Sequence, residues 1–273
     1  MKFFKMTLLT IATTALLLQG CGSDDSDESA SSETPTQPDF NKAIVGFWNS
    51  DNPEDNLTTV GFFDDGTYVV AQVDDDESVT NPENGMEWGK YSVNKATGLL
   101  TNSVLFDGND SSGLSDRVTT NAEVVNDKLI LRIDENNDGT ISSNESFTFS
   151  RIKSEGLSGY WKNTTTDDSL LALVFTDVST NGEDDGSYIQ LGIDSAPMMS
   201  NPLNGMEWGN YSVDATTKIL STSQIYDDNG EAGLSDDAIR YLKVSGDTLT
   251  LEFDDNQNGV IDSGESLDFQ RQK

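Results

Sequence analysis

Residues 81–93, Asn-Pro-Glu-Asn-Gly-Met-Glu-Trp-Gly-Lys-Tyr-Ser-Val, return 120 positions later as residues 201–213, Asn-Pro-Leu-Asn-Gly-Met-Glu-Trp-Gly-Asn-Tyr-Ser-Val. The same offset relates Asp64-Asp-Gly-Thr-Tyr68 to Asp184-Asp-Gly-Ser-Tyr188, and Gly113-Leu-Ser-Asp116 to Gly233-Leu-Ser-Asp236. It also relates the acidic stretch Asp134–Glu145 to Asp254–Glu265. Gly46-Phe-Trp48 and Gly159-Tyr-Trp161 match at an offset of 113, so the second copy carries about seven extra residues near 176–183. A chain written twice folds as two similar units. At this period each copy is long enough for its own core and too long for a typical solenoid repeat. The units are 43–152 and 156–272, joined by Lys153-Ser-Glu155.

Each copy reads as short strands between turn residues, with no helical period. In the first copy eight strands are predicted, near 44–49, 58–63, 67–73, 86–94, 99–106, 118–125, 128–133 and 146–152. Asp64-Asp65-Gly66, Asn126-Asp127 and Ser245-Gly246-Asp247 supply hairpin-turn chemistry. Leu249, Leu251 and Phe253 alternate with polar residues, as half-buried strands do. One strand changes parity: Met86 and Trp88 share a face, while Tyr91 and Val93 share the other. Gly89, and Gly209 in the second copy, mark the place where a bulge turns the strand.

Eight sequential strands opening on Gly46-x-Trp48 and Gly159-x-Trp161 resemble a lipocalin-like (calycin-type) barrel. The resemblance implies an all-β chain of two tandem antiparallel up-and-down barrels. It also implies that Arg151 and Arg271, in the last strand of each copy, pack across the first-strand Trp. A Greek-key β-sandwich from the same strands is the alternative.

The N-terminus is an address. Residues 1–20 hold Lys2, Lys5 and an apolar run from Met6 to Leu18, too short to span a bilayer. Leu18-Gln19-Gly20-Cys21 resembles the lipobox of bacterial lipoproteins. That resemblance implies cleavage before Cys21, lipidation of its thiol and an anchor in the membrane. Gly22 at the next position, rather than Asp, implies the bacterial outer membrane, on its periplasmic or cell-surface face. Residues 21–42 are rich in Ser, Asp and Glu, carry almost no apolar residues until Phe40, and read as a disordered tether.

Composition then removes whole classes of chemistry. There is no His, so there is no Ser-His-Asp centre and no His-ligated metal. The single Cys forms no intramolecular disulfide. A net charge of −32 repels phosphate backbones, so nucleic acid is not a partner. The same charge suits hard cations, Ca²⁺ above all. Apolar content is only 34%, yet 12 Phe, 7 Tyr and 4 Trp at spaced positions argue for packed cores.

The stretch 134–145 fits the twelve-residue EF-hand loop. Asp134, Asn136 and Asp138 stand at positions 1, 3 and 5, and Gly139 at the turn. Thr140 offers its carbonyl at position 7, Ser142 stands at position 9, and Glu145 closes the shell. The second copy repeats this with Asp254, Asn256, Asn258, Val260, Asp262 and Glu265. Flanking strands replace the usual helices, so the expected role is a Ca²⁺ staple on a β-hairpin, not a groove-opening switch. A second acidic cluster runs Asp107-Gly-Asn109-Asp110 to Asp116, and Asp227-Asp228-Asn229 to Asp236. It is read either as an incomplete Ca²⁺ ligand set or as an Asx-rich turn.

The expected function is a membrane-anchored, calcium-stabilised, non-enzymatic binding or adhesion module engaging a surface partner. The alternative is a lipocalin-like carrier of a small hydrophobic ligand, with Trp88, Trp208, Met86 and Met206 lining a barrel mouth. A third and weaker reading is a carboxylate-dependent hydrolase built on Glu87 and Glu207.

Overall fold

The structure is a computed structural model. It describes residues 40–52, 57–74, 77–78, 80–110, 112–116, 120–134, 138–143, 145–163, 170–177, 184–193, 204–230, 233–235, 239–254 and 256–272. The leader, Cys21 and most of the tether lie outside these residues. A short helix α1 (Phe40–Ile44) occupies the junction that the sequence assigned to tether and first strand. The first copy contains β1 (Gly46–Ser50), β2 (Leu57–Phe62), β3 (Thr67–Val73), β4 (Gly85–Val93), β5 (Leu99–Asp107), β6 (Thr120–Val125), β7 (Lys128–Ile133) and β8 (Ser146–Arg151). The second contains β9 (Gly159–Asn163), β10 (Leu170–Asp177), β11 (Asp184–Ile193), β12 (Gly205–Val213), β13 (Ile219–Asp227), β14 (Ile239–Ser245), β15 (Thr248–Asp254) and β16 (Ser266–Arg271).

Each set of eight antiparallel strands closes into a barrel in sequence order, which excludes the Greek-key sandwich. Closure is made by β1 on β8, with Trp48 opposite Arg151, and by β16 on β9, with Arg271 opposite Trp161. The chemistry of the two seams is the same. The Arg151 guanidinium lies 3.9 Å from the Trp48 ring and donates to the Val45 and Ala43 carbonyls. Arg271 lies 3.9 Å from the Trp161 ring and donates to the carbonyls of Ser158 and Gly156. Each indole N–H bonds a carbonyl four residues back, on Ile44 and Leu157. Gly46 and Gly159 hold φ of 134° and 128°, a region only glycine enters freely, and a side chain at Gly46 would strike the Arg151 guanidinium.

The bulge appears in both copies, as a register shift between Trp88 and Gly89 and between Trp208 and Gly209. The hairpin at Asp64-Asp65-Gly66 is a turn in the first copy. Its counterpart Asp184–Gly186 is strand in the second, where β10 runs on to Asp177, opposite Gly186.

Three cores result. Trp48, Phe62, Tyr68, Leu129 and Phe149 fill the first barrel, and Trp161, Phe175, Tyr188, Leu249 and Phe269 the second. The third lies between the barrels and takes the outward side chains of both copies. Leu57, Val69, Ala71, Val73 and Met86 meet Leu170, Ile189, Leu191, Ile193 and Met206. These are repeat equivalents, so both copies bury the same face. Phe47 stacks on its own equivalent, Tyr160, with centroids 4.6 Å apart, and Phe63 stacks on Tyr160 at 4.8 Å. Lys162 pairs with Asp65 across the seam at 2.6 Å. Burial on both faces explains the apolar runs in β3 and β10, and it joins the two sequence units into one body from residue 37 to residue 273.

Two predictions test these seams. Arg151→Ala or Arg271→Ala removes a stacked cation that also satisfies two carbonyls; each is expected to lower unfolding free energy by about 2–4 kcal/mol in urea titrations. Asp228 sits at the seam between barrels, where a Cβ at Gly85 would lie 3.0 Å from its Oδ2. Burial pushes its carboxyl up to about 6, above the ordinary 3.8. The folded state therefore favours the protonated form, and this contribution fades as pH rises from about 4 to about 6. Asp228→Asn keeps an acceptor for the Met206 N–H and is expected to raise melting temperature at pH 7, with a flatter pH profile across that window.

Candidate metal centres

The hairpins β7–β8 and β15–β16 carry the EF-hand-like stretches, and both loops adopt one hydrogen-bond pattern. Asp134 is buried and accepts from the N–H groups of Asp138 and Gly139, at 3.2 and 2.9 Å. Asp254 does the same with Asn258 and Gly259, at 3.0 and 2.8 Å. Gly139 and Gly259 take φ of 81° and 80°, which lets the chain wrap round the first carboxylate. The closing glutamates are buried too: Glu145 Oε2 accepts the Ser142 N–H at 2.7 Å, and Glu265 Oε2 the Asp262 N–H at 2.8 Å. The N–H groups of Thr140 and Val260 turn back onto Asp138 and Asn258, at 2.8 and 2.7 Å.

In the second loop the side chains converge as well. Asn256 Nδ2 reaches Asp262 at 3.0 Å and Glu265 at 2.9 Å, and Asn258 Nδ2 reaches Asp262 at 2.9 Å. The side chains of Asn256, Asn258, Asp262 and Glu265 thus meet one another, while Asp254 holds the backbone of the same loop. Rotating either amide by half a turn presents oxygen where nitrogen now bridges carboxylates. Asn136 of the first loop lies outside the described residues.

A second carboxylate centre closes one end of each barrel. β5 and β6 pair only at Leu99–Asn121 and Leu100–Thr120, so the chain between them folds back over the open end. Leu114 enters the core, and its carbonyl accepts from Asn102 Nδ2 at 2.7 Å. Below it lies Glu87, fully buried, on the inward side of β4. Its carboxylate accepts from Tyr68 Oη at 2.6 Å and from the N–H groups of Leu114 and Ser115 at 2.9 and 3.1 Å, as well as from the Ser115 hydroxyl. Burial raises the Glu87 carboxyl above its ordinary value, although these hydrogen bonds oppose the shift. Burial, with Asp116 and Asp110 nearby, also raises Asp107. Glu207 repeats the arrangement with Tyr188 at 2.6 Å and Ser235 at 3.0 Å.

Among the described residues, three carboxylates gather within 4.8 Å in one place, at Glu87, Asp107 and Asp116. Sequence reading singled out Asp107 and Asp116 but placed Glu87 elsewhere, as half of a hydrolytic pair. The shared offset of all three was visible. The cross-strand register Glu87–Asp107 that joins them was not. Glu87 and Glu207 lie in separate barrels, each bonded to its own Tyr and Ser.

Trp88 and Trp208 do not line a barrel mouth. Trp88, Met86 and Met206 are buried in the core between the barrels, and the partly buried Trp208 packs against it. The bulge parity was right, but the face they share points outward. A cavity of about 260 Å³ does open at the mouth of the first barrel, lined by Val60, Val70, Gln72, Leu131, Phe147 and Phe149.

No protein-family model matches the chain, and no curated protein matches it. Among solved structures it is similar to the DNA polymerase sliding clamp of Pseudomonas aeruginosa, at 10% identity and a TM-score of 0.13, over 85% of this chain and 57% of that one. It is also similar to the beta subunit of the DNA polymerase of Streptococcus pyogenes, at 7% identity and a TM-score of 0.12, over 84% of this chain and 57% of that one. The chain spans little more than half the length of these proteins, and TM-scores of this size carry no argument.

Glu87→Gln sets an amide donor against the Leu114 and Ser115 N–H groups. It is expected to cost about 1–3 kcal/mol in chemical unfolding. Gly113→Ala is expected to cost more, because its Cβ would run into the Glu87 carboxylate.

Proposed function

We propose that this chain is a lipid-anchored bacterial surface module whose paired barrels are stapled by Ca²⁺ at their last hairpins and present a rigid, non-enzymatic binding surface. One observation carries the calcium reading: two loops of different composition make the same hydrogen bonds among their described residues, each with a buried Asp at position 1 and a buried Glu at position 12. The ligands in the second loop are Asp254, Asn256, Asn258, the Val260 carbonyl, Asp262 and Glu265. In the first they are Asp134, Asn136, Asp138, the Thr140 carbonyl, Ser142 and Glu145. A bound dication neutralises carboxylates that otherwise repel one another, and it fixes the connection between the last two strands. The lipobox at Cys21 and the acidic tether support anchorage, with the barrels held off the membrane by a flexible chain.

A carrier function has less support. Aromatic side chains fill both barrels, and the 260 Å³ mouth of the first lies below the roughly 300–1,000 Å³ of usual small-molecule sites.

Saturating Ca²⁺ is expected to raise melting temperature over the chelated protein by about 5–10 °C, and Asp134→Ala with Asp254→Ala to reduce that shift sharply. No shift on Ca²⁺ addition would overturn the staple. Cys21→Ser is expected to move the expressed chain from the detergent phase to the aqueous phase on partitioning, and an unchanged distribution would overturn the anchor.

A further inference from the structure

We infer that the folded-back loop between β5 and β6 is a second, separate Ca²⁺ site, held by Glu87, Asp107, Asn109 and Asp116, with Glu207, Asp227 and Asn229 as its counterpart in the second barrel. The carboxylate oxygens of Glu87, Asp107 and Asp116 all lie within 4.8 Å of one another. Oxygens on opposite sides of one Ca²⁺ stand about 4.6–5.2 Å apart, given bonds of about 2.3–2.6 Å, so the cluster already has the span of a coordination sphere.

The second observation is independent of the acids. Asn109 is 0% exposed, and neither its Oδ1 nor its Nδ2 has a hydrogen-bond partner. Asn229 repeats this, 0% exposed with both amide atoms unpartnered. Leaving a buried amide unpaired costs about 1–3 kcal/mol, and the same cost recurs at the same place in both copies.

Local hydrogen bonds tie these residues to the acidic cluster. Phe106 faces the core between barrels, and Asp107 pairs with Glu87 on the other side of the strand. β5 ends at Asp107, and in the bend that follows the Asn109 N–H bonds Asp107 Oδ1 at 3.3 Å, which ties Asn109 to the carboxylate facing Glu87. In the second copy Tyr226 faces the core between barrels and Asp227 pairs with Glu207. There the Asn229 N–H bonds Asp227 Oδ1 at 2.9 Å.

The donor set is three carboxylates and a neutral amide oxygen, all hard, which fits Ca²⁺ rather than a softer metal. Asp116 is exposed and gives the ion a path from solvent, while Glu87 is the buried floor. The ion would tie the folded-back loop to β4 and β5 and so close the gap that sparse β5–β6 pairing leaves.

The test is calorimetric Ca²⁺ titration of the chelated full chain in three forms. One is unaltered. One carries Asp134→Ala, Glu145→Gln, Asp254→Ala and Glu265→Gln in the hairpins. One carries Asp107→Asn, Asp116→Asn and Asp227→Asn at the barrel ends, which leaves the buried glutamates and their hydrogen bonds intact. The hairpin variant is expected to keep two ions per chain, and the barrel-end variant to bind two fewer than the unaltered chain. Asn109→Ala with Asn229→Ala is expected to weaken those two sites at least ten-fold. A hairpin variant that folds, by circular dichroism, but takes up no Ca²⁺ overturns the inference. So does a barrel-end variant with undiminished stoichiometry, and this second comparison decides the matter alone if the hairpin variant does not fold. A barrel-end variant that binds no ion at all, beside a hairpin variant that still binds two, sinks the hairpin staples and leaves this site standing.

Discussion

Closure of the sheet is the constraint on which everything else rests. An open eight-stranded sheet would expose two edges of unpaired backbone groups; joining β1 to β8 and β9 to β16 removes them. Each seam is short, three facing residues in β1–β8 and three in β16–β9, and is reinforced by an Arg stacked on a Trp. The Arg also binds the carbonyls of the segment that enters the first strand, so one side chain ties together the start and the end of a repeat. With the barrel closed, the inward side chains have a volume to fill, and the loops at its ends acquire fixed positions.

The second organising fact is that each barrel buries the same part of its outer surface against the other. Tandem copies with a flexible joint could have remained independent. Here the aromatic stack of Phe47, Phe63 and Tyr160 and the ion pair of Lys162 with Asp65 join them, over an apolar face made of equivalent residues. An interface in which each copy offers the same patch is the geometry of a two-fold dimer, reached here within one chain. The acidic loops stand at the barrel ends, and Asp228 of one of them reaches the seam. Cations bound there would offset part of the −32 charge that a compact chain must otherwise bear as self-repulsion.

Much of the fold was legible. The strands of the first copy begin and end within one residue of their predicted limits, except that the first starts two residues later and the predicted start of the sixth lies outside the described residues. The parity change at Gly89 marked a true bulge, because side-chain alternation is a local property of extended backbone. The Trp48–Arg151 contact followed from a resemblance and is present. The shared turn geometry of the two hairpin loops was legible for the same reason as the strands: Gly139 and Gly259 stand at the same place in two twelve-residue stretches of like spacing, and both take a positive φ. Helix α1 was missed, since five residues give no period to read. The outward direction of Trp88 was missed because both faces of β4 are buried, and alternation says which residues share a face but not which face is inside.

By itself the sequence determined the duplication, the strands and their turns, and the bulge. Only the tertiary structure decided that the barrels share a third core, and that Glu87 meets Asp107 and Asp116 beneath a folded-back loop. The division has one cause. Local backbone geometry sets what neighbours in sequence do, whereas closure of a barrel sets which distant strands are adjacent, and therefore which carboxylates must share a buried space.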